Sequence, residues 1–312
     1  MGSDPPVGVL VMAYGTASGP DDIERYYTDI RGGRTPSPEH LAELRGRYEA
    51  IGNVFPLLDT TRAQAHGLVD RLNTVGPDTY KAYLGMKHSE PFIPEAVEGM
   101  AADGVTRAIG IVMAPHWSGM SVETYIQRVR DAIDARGLDL QMTFVRSFHE
   151  HPLFISWLSE RLRQTLGTLD DGAPARPTVL FTAHSLPERA LVDDPYPEQL
   201  HESAAAVAKV VGLDHRDGWS IAWQSAGRTP EPWRGPDVLE VIHDLAAAGE
   251  AGGVLVCPHG FVSDHLEVVY DLDIEAAAVA TEVGLAFGRT RVLNDDPAVL
   301  GQLADRVLAI AS

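Results

Sequence analysis

Short apolar runs alternate along this chain with longer stretches in which apolar residues recur every three or four positions. The first run, VGVLVMAYGT (7–16), shows no polar alternation and closes on Gly15, the pattern of a strand buried on both faces. Asp21 and Asp22 then open a helical run, DDIERYYTDIRGG, that Gly32 and Gly33 stop. A second helix follows over PSPEHLAELRGRYEAIG (36–52), with proline at its start and Gly52 at its end. The alternation continues through a helix over TRAQAHGLVDRLN, a strand over TYKAYLGMK, a helix over PEAVEGMAADG and a strand over RAIGIVMAPHWS. A helix over SVETYIQRVRDAIDARG and a strand over QMTFVRSF complete the first half. Strand and helix taking turns in this way predict an α/β protein with an open, mostly parallel sheet covered by helices.

The second half repeats the design. After a helix over PLFISWLSERLRQTLG and a Gly/Pro/Ala linker (170–177), PTVLFTAHSLP reproduces the opening strand, and GGVLVCPHGFVS echoes IGIVMAPHWS. Tyr14 in VLVMAYGT and His184 in VLFTAHSLP hold the same rank, as do Pro115-His116 and Pro258-His259. Two similar doubly wound halves would set Tyr14 and His184 at carboxyl ends of strands, where open α/β sheets bind ligands. The expected site is the cleft between the halves, and the closing helix, PAVLGQLADRVLAIAS, is expected to return to the first half.

One stretch carries more acid than a helix gains from. In GGVLVCPHGFVSDHLEVVYDLDIE (252–275), a buried strand and a sharp turn lead into a helix. At about 100° per residue, its Asp264, Glu267, Asp271 and Glu275 share an arc of roughly 80°. Asp264 as N-cap with Glu267 as its capping-box partner would account for two of the four. Asp271 and Glu275 remain, so the stripe reads either as a solvated face or as a ladder that handles cations, since carboxylates are the ligands of hard metals.

Composition narrows the partners. At 312 residues the chain is long enough for two domains of ordinary size, and 45% hydrophobic residues suffice for their cores. A formal charge of −19 argues against nucleic acid and favours cations. The amino terminus is acidic before a short apolar run, unlike a signal peptide, and no apolar run approaches the roughly 18 residues of a membrane span. A cytoplasmic, soluble monomer without membrane insertion is therefore the expectation. Cys257 is the single cysteine, which forbids an internal disulfide or a cluster ligated by several thiolates of this chain. No G-x-G, Walker A or G-x-S-x-G sequence occurs, so nucleotide cofactors and a serine-hydrolase elbow are not expected.

Each candidate residue has a plain structural alternative. His184 ends a buried strand, where a histidine commonly serves only to satisfy a backbone carbonyl; beside a carboxylate helix it is also a transient ligand for ferrous iron and a base near neutral pH. His116, His259 and His265 read as hydrogen-bonded turn residues. Tyr14 either caps the core or faces a ligand. Arg31, Arg34, Arg45 and Arg47 are solvated helix residues unless, near Tyr14 and Tyr48, they hold the carboxylates of an anionic ligand. Trp223 and Trp233, read as sharing one loop, are core residues or a flat apolar wall for a large ring.

Taken together, VLVMAYGT, DIERYYTDIRGG, RYEAIG, AYLGMKHSEPFI, TAHSLPERA, DPYPEQLHESA, PEPWRGPDV and GFVSDHLEVVYDLDIE resemble the ferrochelatases, in particular the soluble bacterial type similar to coproporphyrin III ferrochelatase, in order and over essentially the whole chain. The resemblance implies two similar Rossmann-like, chelatase-type domains with parallel sheets flanked by helices and a cleft between them. The first would be 1–147 plus 290–312, with a porphyrin-contacting lip, and the second 148–289, with His184 and the acidic helix. It implies insertion of Fe2+ into a porphyrin, coproporphyrin III giving coproheme, with release of two protons in haem biosynthesis. Iron is then a substrate, no cofactor is held permanently and no iron-sulfur cluster is expected. His184 matches the family's metal-binding and catalytic histidine, Glu267 its partner, and Asp271 and Glu275 a line for metal delivery or proton removal. Tyr14 matches a catalytic-site residue facing the other side of the ring, while Arg31, Arg47, Tyr48 and Tyr125 match propionate positions; Trp233, from its place in a Gly/Pro-rich loop, joins them as a substrate-binding candidate. Lys87 and His88 match a pair whose role is left open. Phe55 stands where a propionate-contacting serine is expected, and Gly32 where some relatives have an arginine. The lip GTASGPDDIE lacks an apolar docking insert, which favours the tetracarboxylate coproporphyrin III over protoporphyrin IX. The alternatives are a chelatase for another metal or tetrapyrrole, or a non-catalytic haem-binding carrier.

Overall fold

The computed structural model describes residues 5–75, 79–169, 176–213, 218–249 and 251–311. The expected linker lies, over 170–175, outside the described residues. The chain divides into two compact units, Met1–Phe148 with Leu293–Ser312, and His149–Val292.

Unit 1 is a four-stranded parallel sheet ordered β2-β1-β3-β4, from β1 (Val7–Ala13), β2 (Tyr80–Met86), β3 (Arg107–Val112) and β4 (Gln141–Val145). All seven residues of β1 are buried because it pairs on both edges and is covered on both faces. The helices are α1 (Ile23–Ile30), α2 (Pro38–Ala50), α3 (Leu57–Val75), α4 (Ile93–Ala102), α5 (Val122–Arg136) and the closing α11 (Pro297–Ala311). Their ends follow local chemistry: the Ser37 side chain caps α2 at the His40 N–H, and Gly137 ends α5 at φ 58°. Leu10, Met12, Ile93, Val97, Ile126 and Val129 form the core between β1 and helices α4 and α5. Each such side chain stabilises the fold by about 1.5–3 kcal/mol. Helix α11 packs on α3, so closely that a Cβ on Gly67 would meet Leu300 at 2.8 Å.

Unit 2 repeats the strand order as β6-β5-β7-β8, with β5 (Thr178–His184), β6 (Trp219–Gln224), β7 (Gly253–Cys257) and β8 (Ala286–Arg289), all parallel. Helix α6 (Pro152–Leu169) precedes β5, while α7 (Tyr196–Val211) connects β5 to β6 and α8 (Val238–Ala248) connects β6 to β7. In both sheets the first strand in sequence lies inside, with the second on one side of it and the third on the other. The carboxyl ends of β1 and β5 therefore open at the point where the winding reverses, the ligand position of open α/β sheets. Among the described residues no helix is long and apolar enough to cross a membrane.

The acidic helix differs from the uniform α-helix expected from residue 264. It consists of a single α turn, α9 (Leu266–Val268), a π-helical stretch over Val269–Ala276, and α10 (Ala277–Glu282). A π stretch closes i→i+5 rather than i→i+4 and widens the turn, a form frequent at functional sites. Val268, Leu272, Ala276 and Ala280 bury the inner side against Leu180, Val254 and Val256.

Candidate active site

Strand β5 ends on His184. The ring's Nδ1–H donates to the Ser185 carbonyl at 2.5 Å, which turns Nε2 outward. Strand β7 ends on Cys257, and the chain then passes through a turn in which Gly260 N–H bonds the Thr182 carbonyl. Only glycine fits there: a Cβ would stand 2.5 Å from that of Ala183. This close approach carries the next residues back beside the end of β5. His265 arrives with its Nδ1–H on the Ser263 carbonyl at 2.9 Å, and Glu267 lies in the first turn beyond it.

Both imidazoles thus present Nε2 to one carboxylate oxygen: Glu267 Oε2 lies 3.6 Å from His184 and 3.6 Å from His265. Burial opposes charge on His184, but the neighbouring Glu267 carboxylate outweighs it and pushes the imidazole up to about 9. His265 is raised by the same carboxylate against the same burial, and Asp271 adds to the field on both rings. Burial would raise Glu267, yet the two imidazoles hold it far below the usual carboxylate range. At neutral pH the resting site is a carboxylate facing an imidazolium at His184. Once the rings lose their protons, the same atoms become two nitrogens and one carboxylate oxygen, a donor set suited to a divalent transition metal such as ferrous iron.

The remaining acids part company. Asp271, only 6% exposed, accepts a hydrogen bond from Ser225 Oγ at 2.5 Å, and Glu275 is half-buried further along the π stretch. Asp264 lies before the helix rather than capping it. His265 holds the N-cap position without a side-chain cap bond, so the capping-box account of Asp264 and Glu267 does not hold. Asp264 instead meets Arg289 at 3.3 Å, and the same guanidinium grips Asp273 with bonds of 2.5 and 2.7 Å. One arginine at the end of β8 pairs with both, which takes Asp264 off the stripe and leaves Glu267, Asp271 and Glu275 as the line.

Unit 1 groups other candidates. Tyr14 comes directly after β1 at 40% exposure, with its ring centroid 4.6 Å from that of His88. Lys87 Nζ lies 5.9 Å from the Tyr14 centroid and 5.0 Å from that of Tyr125, and donates to Thr124 Oγ1 at 2.8 Å. Burial, aided by Arg128, pushes Lys87 down to about 8. His88 Nδ1 is 2.6 Å from Asp29. Tyr48 is 2% exposed, its hydroxyl 3.4 Å from Thr16 Oγ1, and Phe55 stacks on its ring at 4.6 Å. The departure at Phe55 therefore covers Tyr48. Arg31 caps α1, lies against Tyr27 and donates to the Arg34 carbonyl, while Arg45 and Arg47 stand 3.8 Å from Glu24 and 3.7 Å from Glu43.

The tryptophans do not share a loop. Trp223 belongs to β6 and packs against Tyr196 in the core, whereas Trp233 lies in the next loop over Gly227, its Nε1–H on Thr229. His259 is buried with Nε2 on the Leu200 carbonyl and is pushed down to about 4 by that burial, a neutral structural histidine. His149, Glu150 and Glu202 gather elsewhere in unit 2, where His149 pairs directly with Glu202 at 3.0 Å.

The family model described as Ferrochelatase matches residues 6–310. This chain belongs to the ferrochelatase family. It is 44% identical over 304 residues to the coproporphyrin III ferrochelatase of Bacillus pumilus, covering 97% of this chain and 96% of that protein. It is 43% identical to the coproporphyrin III ferrochelatase of Bacillus subtilis, covering 97% of each. The ferrochelatase of Herpetosiphon aurantiacus is 42% identical over 296 residues, with 95% and 96% covered. In fold the chain is similar to the sirohydrochlorin chelatase SirB from Bacillus subtilis subspecies spizizenii, at a TM-score of 0.56 and 10% identity, with 98% and 95% covered. That likeness is one of architecture, two parallel sheets flanked by helices. Within the ferrochelatase family, His184 and Glu267 are the pair the sequence singles out, and His265 is the partner that reads as a turn residue. The signal for His265 is its place two residues before Glu267 in DHLE.

Proposed function

We propose that this ferrochelatase-family chain inserts Fe2+ into coproporphyrin III to give coproheme, with release of the two macrocycle N–H protons, in haem biosynthesis. The observation that carries the reading is the Glu267 carboxylate set between two imidazoles whose Nδ1 atoms are tied to backbone carbonyls. The names of the 43–44% identical relatives supply the substrate.

Insertion has two requirements: water must leave the iron in steps, and two protons must leave a flat ring that shields its nitrogen lone pairs. His184 and Glu267 answer both in this reading. Loss of the Nε2 proton from His184 frees a lone pair for iron, and Glu267 balances the dication's charge while water is shed. Asp271 and Glu275 continue the acid line along the helix and pass protons or hydrated metal along it. Within unit 1, Tyr14 is assigned to the face of the macrocycle, and Arg31, Arg47, Tyr48 and Tyr125 to its carboxylates, with Tyr48 acting from beneath Phe55. Trp233 of unit 2 is assigned to the macrocycle's apolar surface. Contacts remote from the reacting atoms would bend the ring, a strain on the scale of about 1–5 kcal/mol.

The chain carries no resident cofactor or iron-sulfur cluster in this account. Its single thiol, Cys257, is fully buried and pushed up to about 12 by that burial, conditions that suit an inert core residue. Anaerobic insertion of Fe2+ into coproporphyrin III and protoporphyrin IX, monitored by loss of free-porphyrin fluorescence, tests the reading. Catalytic turnover with coproporphyrin III preferred is expected. Stoichiometric binding without turnover would make the protein a carrier, and turnover only with another metal or tetrapyrrole would place it among other chelatases.

A further inference from the structure

We propose that Gln224, which closes β6, and Ser225, directly after it, are positioning residues that hold the widened turn of the acidic helix in register with His184. The proposal rests on the roles given above to His184 and Glu267.

Gln224 is 1% exposed and lies directly beside His184 in the sheet. Its backbone carbonyl accepts from Ser185 N–H at 2.8 Å, fixing the strand end that carries the imidazole. Its side-chain Nε2 donates to the Glu267 carbonyl at 2.9 Å. One buried residue therefore fixes the backbone of both partners. Because Nε2 must face a carbonyl, the amide orientation is determined, and Oε1 meets no protein donor among the described residues.

The π stretch begins at Val269, two residues after the carbonyl that Gln224 engages. A side chain entering the ladder of a helix is a recognised cause of local departure from α geometry.

Ser225 grips the next carboxylate. Its backbone lies at φ 59°, a left-handed conformation that glycine adopts freely and an L side chain resists. Serine in this place needs a reason, and its Oγ supplies one by donating to Asp271 Oδ2 at 2.5 Å. Gln224 and Ser225 thus hold the helix at Glu267 and Asp271, one on each side of the point where the turn widens.

Ser225→Gly separates this role from a merely structural turn, because it relaxes the backbone while removing the hydroxyl. Expected is a melting temperature no lower than the parent's, unchanged coproporphyrin III affinity by fluorescence, and a kcat for iron insertion lower by about 10- to 100-fold. Gln224→Met, of similar length but without a donor, should accelerate amide hydrogen exchange over residues 269–276. Unchanged kcat in Ser225→Gly overturns the proposal. So does weaker porphyrin binding with kcat intact at saturation, which would make Ser225 a substrate contact. If the parent itself fails to insert iron into coproporphyrin III, the functional reading falls. Exchange over 269–276 in the two variants still decides the positioning claim: protection equal to the parent in both contradicts it.

Discussion

Strands β1 and β5 hold the same place in sheets of the same order, and the residues at their carboxyl ends have the same rank, yet their chemistry is opposite. The end of β1 offers Tyr14, half out of the fold, against His88 and Lys87. The end of β5 offers an imidazole whose ionisation is governed by a carboxylate and whose ring is pinned by a neighbouring carbonyl. A repeated fold supplies two equivalent openings; it does not supply two equivalent sites. The difference arises in the segment after the third strand of each sheet. After β7, Gly260 folds the chain tightly over Ala183 and delivers His265 and Glu267, whereas α5, after β3, brings Tyr125 and Thr124 to Lys87.

Substitution at the two strand ends should reveal this asymmetry most strongly. His184→Ala and Glu267→Gln are each expected to lower the iron insertion rate by about 10²- to 10⁴-fold while coproporphyrin III still binds. Tyr14→Phe keeps the ring and should cost less than about tenfold. Equal losses at the two ends, measured as kcat under anaerobic conditions, would erase the distinction. A smaller effect is expected from Gly260→Ala, where overpacking against Ala183 should reduce stability by about 1–3 kcal/mol in urea unfolding. Full stability in that variant would show that the close approach is not needed to bring the turn over β5.

Much of this is legible in the sequence. The unbroken apolar runs mark both central strands, because a strand buried on both faces has no polar period to hide. The equal rank of Tyr14 and His184 marks the strand ends. The hidden features depend on contacts distant along the chain. Arg289 pairs with Asp264 from the end of another strand, so an acidic stripe read locally is too long by that residue. His265 looks like any turn histidine until the Ser263 carbonyl fixes which nitrogen faces Glu267. The π stretch preserves an apolar repeat close enough to that of an α-helix to pass for one. Trp223 reads as a loop residue because β6 gives way at once to a Gly/Pro-rich segment, which obscures its last residues.

The proposed chemistry turns on Glu267 controlling the protonation of His184. Because the folded value lies above the ordinary 6.5, the pairing stabilises the protein fully below about 6.5 and loses that contribution as pH rises through about 9. The depressed Glu267 sets the acid limit, its share being present above the ordinary 4.5 and lost as pH falls through its folded value. The direct measurement is an NMR pH titration of the His184 ring in the parent and in Glu267→Gln. The parent ring should titrate near 9, and the variant ring well below it, near or under the ordinary histidine value, because burial then acts without the principal opposing carboxylate. Coincident titration curves would contradict the account.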